Sequence, residues 1–209
     1  AGDDPDSDVF VSKLDSSGNY VWAKNFGNAD SLAIAYSVAV DSSGNVYTTG
    51  HFNGTVDFDP GAGTTNLTPN GSLDVFVSKL DSSGDLVWAK SFGGDSGNDV
   101  GESVAVDSSG NVYTTGYFLG TVDFDPGAGT ANLTSNGYND VFVSKLDSSG
   151  DYVWAKSFGG TDGSDDGYSV AVDSSGNVYT TGSFNGTADF DPGAGTANLD
   201  AGDDPDSDV

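Results

Sequence analysis

The residues with the plainest capacity for chemistry are aspartates at alternate positions. Asp4, Asp6 and Asp8 stand in the segment DDPDSD, and Asp204, Asp206 and Asp208 stand in a second copy of it. A shorter version, DFDPGAG, occurs three times and carries Asp57 and Asp59, Asp123 and Asp125, and Asp189 and Asp191. Alternate carboxylates are the ligand spacing with which calcium loops begin, and in an extended chain both members of a pair point to one side. The pattern does not continue as an EF-hand, because Val9 stands where the turn glycine would be. The twelve aspartates are therefore expected either to hold Ca2+ or to cap turns and solvate an edge strand. No organic cofactor is indicated. A further acidic group, Asp162, Asp165 and Asp166, lies in TDGSDDGY, but the matching stretch near the start of the chain, NADSLAIAY, has lost most of its acids.

Other reactive side chains are scarce. There is no cysteine, which excludes disulfides, thiolate zinc sites and cysteine nucleophiles. The single histidine, His51, is replaced by Tyr117 and Ser183 at the equivalent places, so a hydrolase triad has no repeated base. Acid pairs alone could serve a glycosidase, yet nothing marks one carboxyl for a raised pKa, and no enzymatic activity is expected. Trp22, Trp88 and Trp154 recur at one position and are expected to pack between sheets, with sugar stacking as the alternative. The six lysines fall in VSK and WAK, where ion pairs with the surrounding acids are expected.

These residues sit in a repeated framework. DVFVSKLDSSGNYVWAK at 8–24 returns nearly unchanged at 74–90 and 140–156, a spacing of 66 residues. Each copy reads as a β-hairpin, with two apolar runs around an Asp-Ser-Ser-Gly turn. A second hairpin, SVAVDSSGNVYTTG, follows at 37–50, 103–116 and 169–182. After it comes an arm in which Pro60-Gly61 and its copies force a reversal between two short extended pieces. No stretch has helical periodicity. The repeat units are taken as 1–73, 74–139 and 140–209. Residues 201–209 repeat residues 1–9, so the larger period is 200 residues and the chain is expected to be one period of a longer tandem array.

The charge balance narrows the partners. Six basic residues against 32 acidic ones give a net charge of −26, which repels phosphate and anionic lipid, so nucleic acid and membrane surfaces are not expected partners. No apolar run is long enough to span a bilayer and no signal peptide is evident, so no membrane insertion is expected.

The stretches DVFVSKLDSSG, YVWAKSFGG, SVAVDSSGNVYTTG and GTVDFDPGAGTANL, in this order, resemble the SBBP-type β-propeller repeats of large secreted bacterial proteins. The resemblance covers essentially the whole chain. It implies an all-β fold of tandem four-stranded antiparallel blades, export to the cell surface or medium, and a structural or adhesive role; it carries over no catalytic residue. Propeller rings close with four to eight blades. Three units per chain are therefore expected to close only by oligomerisation, or to continue as an open superhelical array.

The functional expectation is a non-catalytic extracellular structural protein, a segment of a filament or array stacked blade to blade, whose partners are copies of itself or adjacent repeats. The alternative is a glycan-binding lectin or adhesin with repeated loop sites. The opening hairpin lacks a preceding SVAVDSSGNVYTTG hairpin to pair with, which makes Val9, Phe10, Val11 and Trp22 the expected assembly interface.

Overall fold

The computed structural model describes residues 7–28 and 31–202. Asp4, Asp6, Asp204, Asp206 and Asp208 lie outside the described residues. Eighteen strands run through the described residues, none of which is helical. The first repeat carries β1 (Val9–Leu14), β2 (Tyr20–Phe26), β3 (Leu32–Val40) and β4 (Val46–Asn53), then the arm strands β5 (Val56–Asp57) and β6 (Asn66–Leu67). The second carries β7 (Asp74–Leu80), β8 (Leu86–Phe92), β9 (Val100–Val106) and β10 (Val112–Phe118), with arm strands β11 (Thr121–Asp123) and β12 (Asn132–Thr134). The third carries β13 (Asp140–Leu146), β14 (Tyr152–Gly160), β15 (Asp166–Val172) and β16 (Val178–Ser183), with arm strands β17 (Thr187–Asp189) and β18 (Asn198–Asp200).

The six Asp-Ser-Ser-Gly hairpins close through the same chemistry. In the first, Asp15 Oδ1 accepts the N–H groups of Ser17 at 2.9 Å and Asn19 at 2.8 Å, and Gly18 takes the positive φ of 82° that the reversal requires. The hydrogen bond from the Asn19 side chain, followed by those two amides, favours the ionised form of Asp15 and holds its carboxyl below the usual range. The same turn recurs at Asp41, Asp81, Asp107, Asp147 and Asp173.

The sheets are offset by half a repeat from the sequence period. One blade is a four-stranded sheet in the order β3-β4-β7-β8, taking two strands from each of two repeats. A second runs β9-β10-β13-β14 and is lengthened by β17 and β18 beyond β14. The outer hairpins, β1-β2 and β15-β16, are two-stranded sheets, half-blades in this scheme. The sheets do not close on one another, so three repeats form an open run of antiparallel β-propeller-like blades.

Each complete blade buries a group of four phenylalanines against its neighbour. In the first group the arm residue Phe58 stands 5.2 Å from Phe26, 5.6 Å from Phe52 and 5.0 Å from Phe76, measured between ring centroids. The second group repeats it with Phe124 against Phe92, Phe118 and Phe142 at 5.1, 5.4 and 5.1 Å. Tilted and edge-on contacts at this range suit aromatic rings. The Phe of DFDPG is thus what pins each arm to its blade.

Candidate functional site

The arm aspartates that stand in the described residues serve the turn they belong to. Asp57 Oδ1 accepts the N–H groups of Asp59 at 3.0 Å and Thr65 at 2.8 Å, while Asp59 Oδ1 accepts that of Gly61 at 2.7 Å. Asp123 and Asp125, and Asp189 and Asp191, repeat these contacts with the same partners along their own arms. Asp8 is exposed, and one of its oxygens accepts from the Asn25 side chain at 3.2 Å. Among the described residues no three acidic, histidine or cysteine side chains converge so as to hold a metal ion.

A different set of acids is buried. Asp74, Asp99, Asp140 and Asp165 are each about 1% exposed. Asp99 holds the loop after β8 by accepting from Gly94 N–H at 2.9 Å and the next loop by accepting from Leu119 N–H at 3.2 Å. Asp165 does the same with Gly160 at 2.7 Å and Asn185 at 3.0 Å. Asp140 accepts from Asn136 N–H at 3.2 Å through one oxygen, and its Oδ1 has no hydrogen-bond partner. Glycines make room for them: a Cβ on Gly159 would collide with both Asp140 and Asp165. Burial pushes the Asp99 carboxyl up to about 7, against the pull of its two amides and with a push from the Asp74 charge. It pushes Asp140 up to about 6, with Asp165 adding to the rise. These four residues are structural staples between loops and blades. Sequence patterning singled out only Asp165 among them; the usable signal was an acid repeated at the first position of each DVFVSK strand, from Asp74 and Asp140.

Trp22 and Trp88 lie between sheets. Trp22 Nε1 donates to the Ser82 carbonyl of the next blade at 3.2 Å, and Trp88 Nε1 donates to the Ser148 carbonyl at 3.2 Å. Each covers the turn glycine of that neighbouring hairpin: a Cβ on Gly84 would lie 3.3 Å from the Trp22 ring, and one on Gly150 would lie 3.1 Å from Trp88. Lys24 and Lys90 reinforce the seams through Asp85 at 3.2 Å and Asp151 at 3.8 Å. Burial lowers the pKa of His51, whose ring stands beside Tyr36 and whose Nδ1 has no hydrogen-bond partner among the described residues.

The two half-blades expose what the complete blades bury. Val9 and Val11 turn inward and are 2% and 5% exposed, whereas Phe10 between them is 76% exposed. Its counterparts Phe76 and Phe142 are both fully buried. At the other end, Tyr179 of β16 is 60% exposed, whereas Tyr47 of β4 and Tyr113 of β10 are buried.

A family model described as a beta-propeller repeat, SBBP, matches residues 21–56, 87–117 and 153–191. The chain belongs to the SBBP beta-propeller repeat family. Each matched stretch holds the second strand of one DVFVSK hairpin and the SVAVDSSGNVYTTG hairpin after it, so the SBBP repeat spans parts of two adjacent blades. Among curated proteins, the chain is 30% identical over 128 residues to an uncharacterized WD repeat-containing protein of Acanthamoeba polyphaga mimivirus, across 57% of this chain and 9% of that protein. It is 31% identical over 128 residues to the regulatory protein FlaEY of Caulobacter vibrioides, across 59% of this chain and 13% of that protein. The SBBP chain therefore spans only a small part of the length of the curated relatives it matches.

Proposed function

We propose that this SBBP repeat chain is a non-catalytic structural and adhesive protein of the bacterial cell surface or medium, a segment of a β-array assembled by blade-to-blade stacking. The observation that carries this reading is the pair of half-blades, each exposing the aromatic side chains that the complete blades bury. Buried apolar area drives association, and an exposed strand edge offers a ready template for another strand. The net charge of −26 opposes contact with other polyanions and with further copies of the chain alike, so stacking of copies is expected to require screening by salt or bound cations. The repeated side chains are engaged in capping turns, stapling loops and packing blades, which is the basis for assigning no catalytic role.

Light scattering and electron microscopy test this directly: assemblies well above 21.2 kDa are expected, and a stable monomer of 21.2 kDa at every concentration sinks the reading. Ca2+ at the DFDPGAG arms belongs to the same proposal, supported by the alternate spacing of the acids. A rise in melting temperature with millimolar calcium, reversed by chelator, is the expected result, and an unchanged melt removes calcium from the account.

A further inference from the structure

We infer that strand β16 is completed by strand β1 of a second copy of this chain in one fixed antiparallel register, with Phe10 of that copy filling a socket made by Phe158, Phe184 and Phe190. The inference rests on the assembling reading above and names its contact. Its template occurs twice within the chain. β4 pairs with β7 so that Val46 faces Leu80, Thr48 faces Ser78 and Gly50 faces Phe76. β10 pairs with β13 in the same way, Val112 facing Leu146, Thr114 facing Ser144 and Gly116 facing Phe142. β16 has the β4 and β10 sequence and β1 has the β7 and β13 sequence, so the same register sets Val178 opposite Leu14, Thr180 opposite Ser12 and Gly182 opposite Phe10. The glycine recurs opposite the phenylalanine in all three cases.

The side chains fit this pairing on both faces. Phe158 and Phe184 stand 5.3 Å from Phe190, the arrangement that Phe26 and Phe52 make around Phe58. In the complete groups the fourth ring comes from the strand that pairs with β4 or β10; here that place is a cavity of about 250 Å³ lined by the same three phenylalanines and Val141. The ring that would match it, Phe10, is exposed on the other half-blade, as is Leu14, whereas Leu80 and Leu146 are buried. Thr49 and Thr115 donate their hydroxyls to the Phe76 and Phe142 carbonyls at 2.8 and 2.7 Å, and Thr181 is placed to donate to the Phe10 carbonyl. Lys79 and Lys145 lie over the Tyr47 and Tyr113 rings at 5.2 and 5.0 Å, and Lys13 meets Tyr179 in the same relation.

The turns agree. Gly84 and Gly150 are covered by the tryptophan of the preceding sheet, but nothing lies within 4 Å of a Cβ placed on Gly18. Trp154 is the tryptophan that would cover Gly18 of the incoming copy. Such a contact is head-to-tail, since β1 and β16 are different surfaces, and it yields a ring if the rotation closes or a filament if it does not.

Three single-cysteine variants test the register in a chain that otherwise has no cysteine. Thr48 and Ser78 hydroxyls lie 2.6 Å apart, so Ser12→Cys on one chain and Thr180→Cys on another should form a disulfide. Mixing them under mild oxidation is expected to give at least tenfold more cross-linked pair than either variant alone or than Leu14→Cys mixed with Thr180→Cys. Phe10→Ala, which removes a side chain exposed in the single chain, should weaken self-association by about 100-fold or more. Assembly that persists without the Ser12–Thr180 cross-link, or with Phe10→Ala unchanged, overturns the register and leaves the assembling reading standing. A monomer throughout overturns both.

Discussion

The complete blade β3-β4-β7-β8 and the half-blade β1-β2 contain the same hairpin sequence in two environments. Phe76 and Phe10 occupy equivalent positions, yet one is wholly buried and the other 76% exposed. Intrinsic strand preference is shared, so the difference lies in the partner strand, β4, and in the arm residue Phe58, which packs on Phe76, whereas no aromatic ring among the described residues packs on Phe10. The hairpin is thus a local structure that the chain forms readily, and the blade is a tertiary one that needs the second hairpin from the neighbouring repeat. A lone two-stranded hairpin is marginal in water, which places the half-blades at the weak end of the molecule's stability.

Substituting the equivalent phenylalanines gives the largest expected contrast. Phe142→Ala should destabilise the chain by about 3–5 kcal/mol in urea unfolding, the usual loss for a buried aromatic. Phe10→Ala should change the same measurement, made at a dilution where the chain is monomeric, by less than about 0.5 kcal/mol. Equal losses at the two sites would break the distinction between blade and half-blade.

The second contrast concerns pH. Asp99 lies in the complete part of the structure with a carboxyl pushed up by burial to about 7, and Asp140 to about 6. In the register of β3 on β4, the place of Asp99 is taken by Ala33 in the first repeat. Between the unfolded value near 3.8 and these folded values, the folded chain holds protons that the unfolded chain has lost. Their stabilisation is therefore full below about pH 4 and declines as pH rises toward about 7, by at most about 1.4 kcal/mol per pH unit for each group. The turn aspartates act in the opposite sense: Asp15, Asp81 and Asp173 are held low chiefly by hydrogen bonds, so their contribution is present above the unfolded value and lost in more acid solution. Thermal melting should peak in mildly acid buffer, and Asp99→Asn should flatten the decline above it. A stability that rises steadily from pH 4 to pH 8 would contradict the assignment of buried carboxyls.

The smallest contrast is at the seams. Lys24 and Lys90 pair with Asp85 and Asp151, but the residue that Lys156 would meet on a second copy is Asn19. Asn19→Asp supplies the missing partner and should tighten self-association by no more than about 1 kcal/mol, read from the dissociation constant in low salt and vanishing in high salt.

The hairpins and their offset into blades could be read from the sequence because the information is local. Alternating Val, Phe and Leu around Asp-Ser-Ser-Gly specifies strand, turn and strand, and the repeat order tells which hairpin must pair with which. The pairing of β4 with β7 follows from that order. The aspartates were harder. Asp57 and Asp59 have the spacing of ligands, but whether an oxygen meets a cation or a backbone amide depends on how the Pro60-Gly61 turn folds back. Asp74, at the start of β7, and Asp99, just before β9, look like ordinary acids at strand ends, and their burial arises only when β9, the loop after β8 and the following arm come together. The socket of Phe158, Phe184 and Phe190 was invisible for the same reason, since three residues far apart in sequence define it. Phe10, by contrast, is singled out by repeat order, which gives its hairpin no SVAVDSSGNVYTTG partner among the described residues, and the structure leaves its ring exposed.

The central claim is that β1 and β16 are two halves of one blade, and amide hydrogen exchange measured over a range of protein concentrations tests it most directly. The account predicts that the edge-facing amides of Val9–Leu14 and of Val178–Ser183, those not turned toward β2 or β15, become protected together as concentration rises, while those of β10 and β13 stay protected throughout. Rapid exchange of those edge-facing amides at every concentration, or protection of one set without the other, would contradict it.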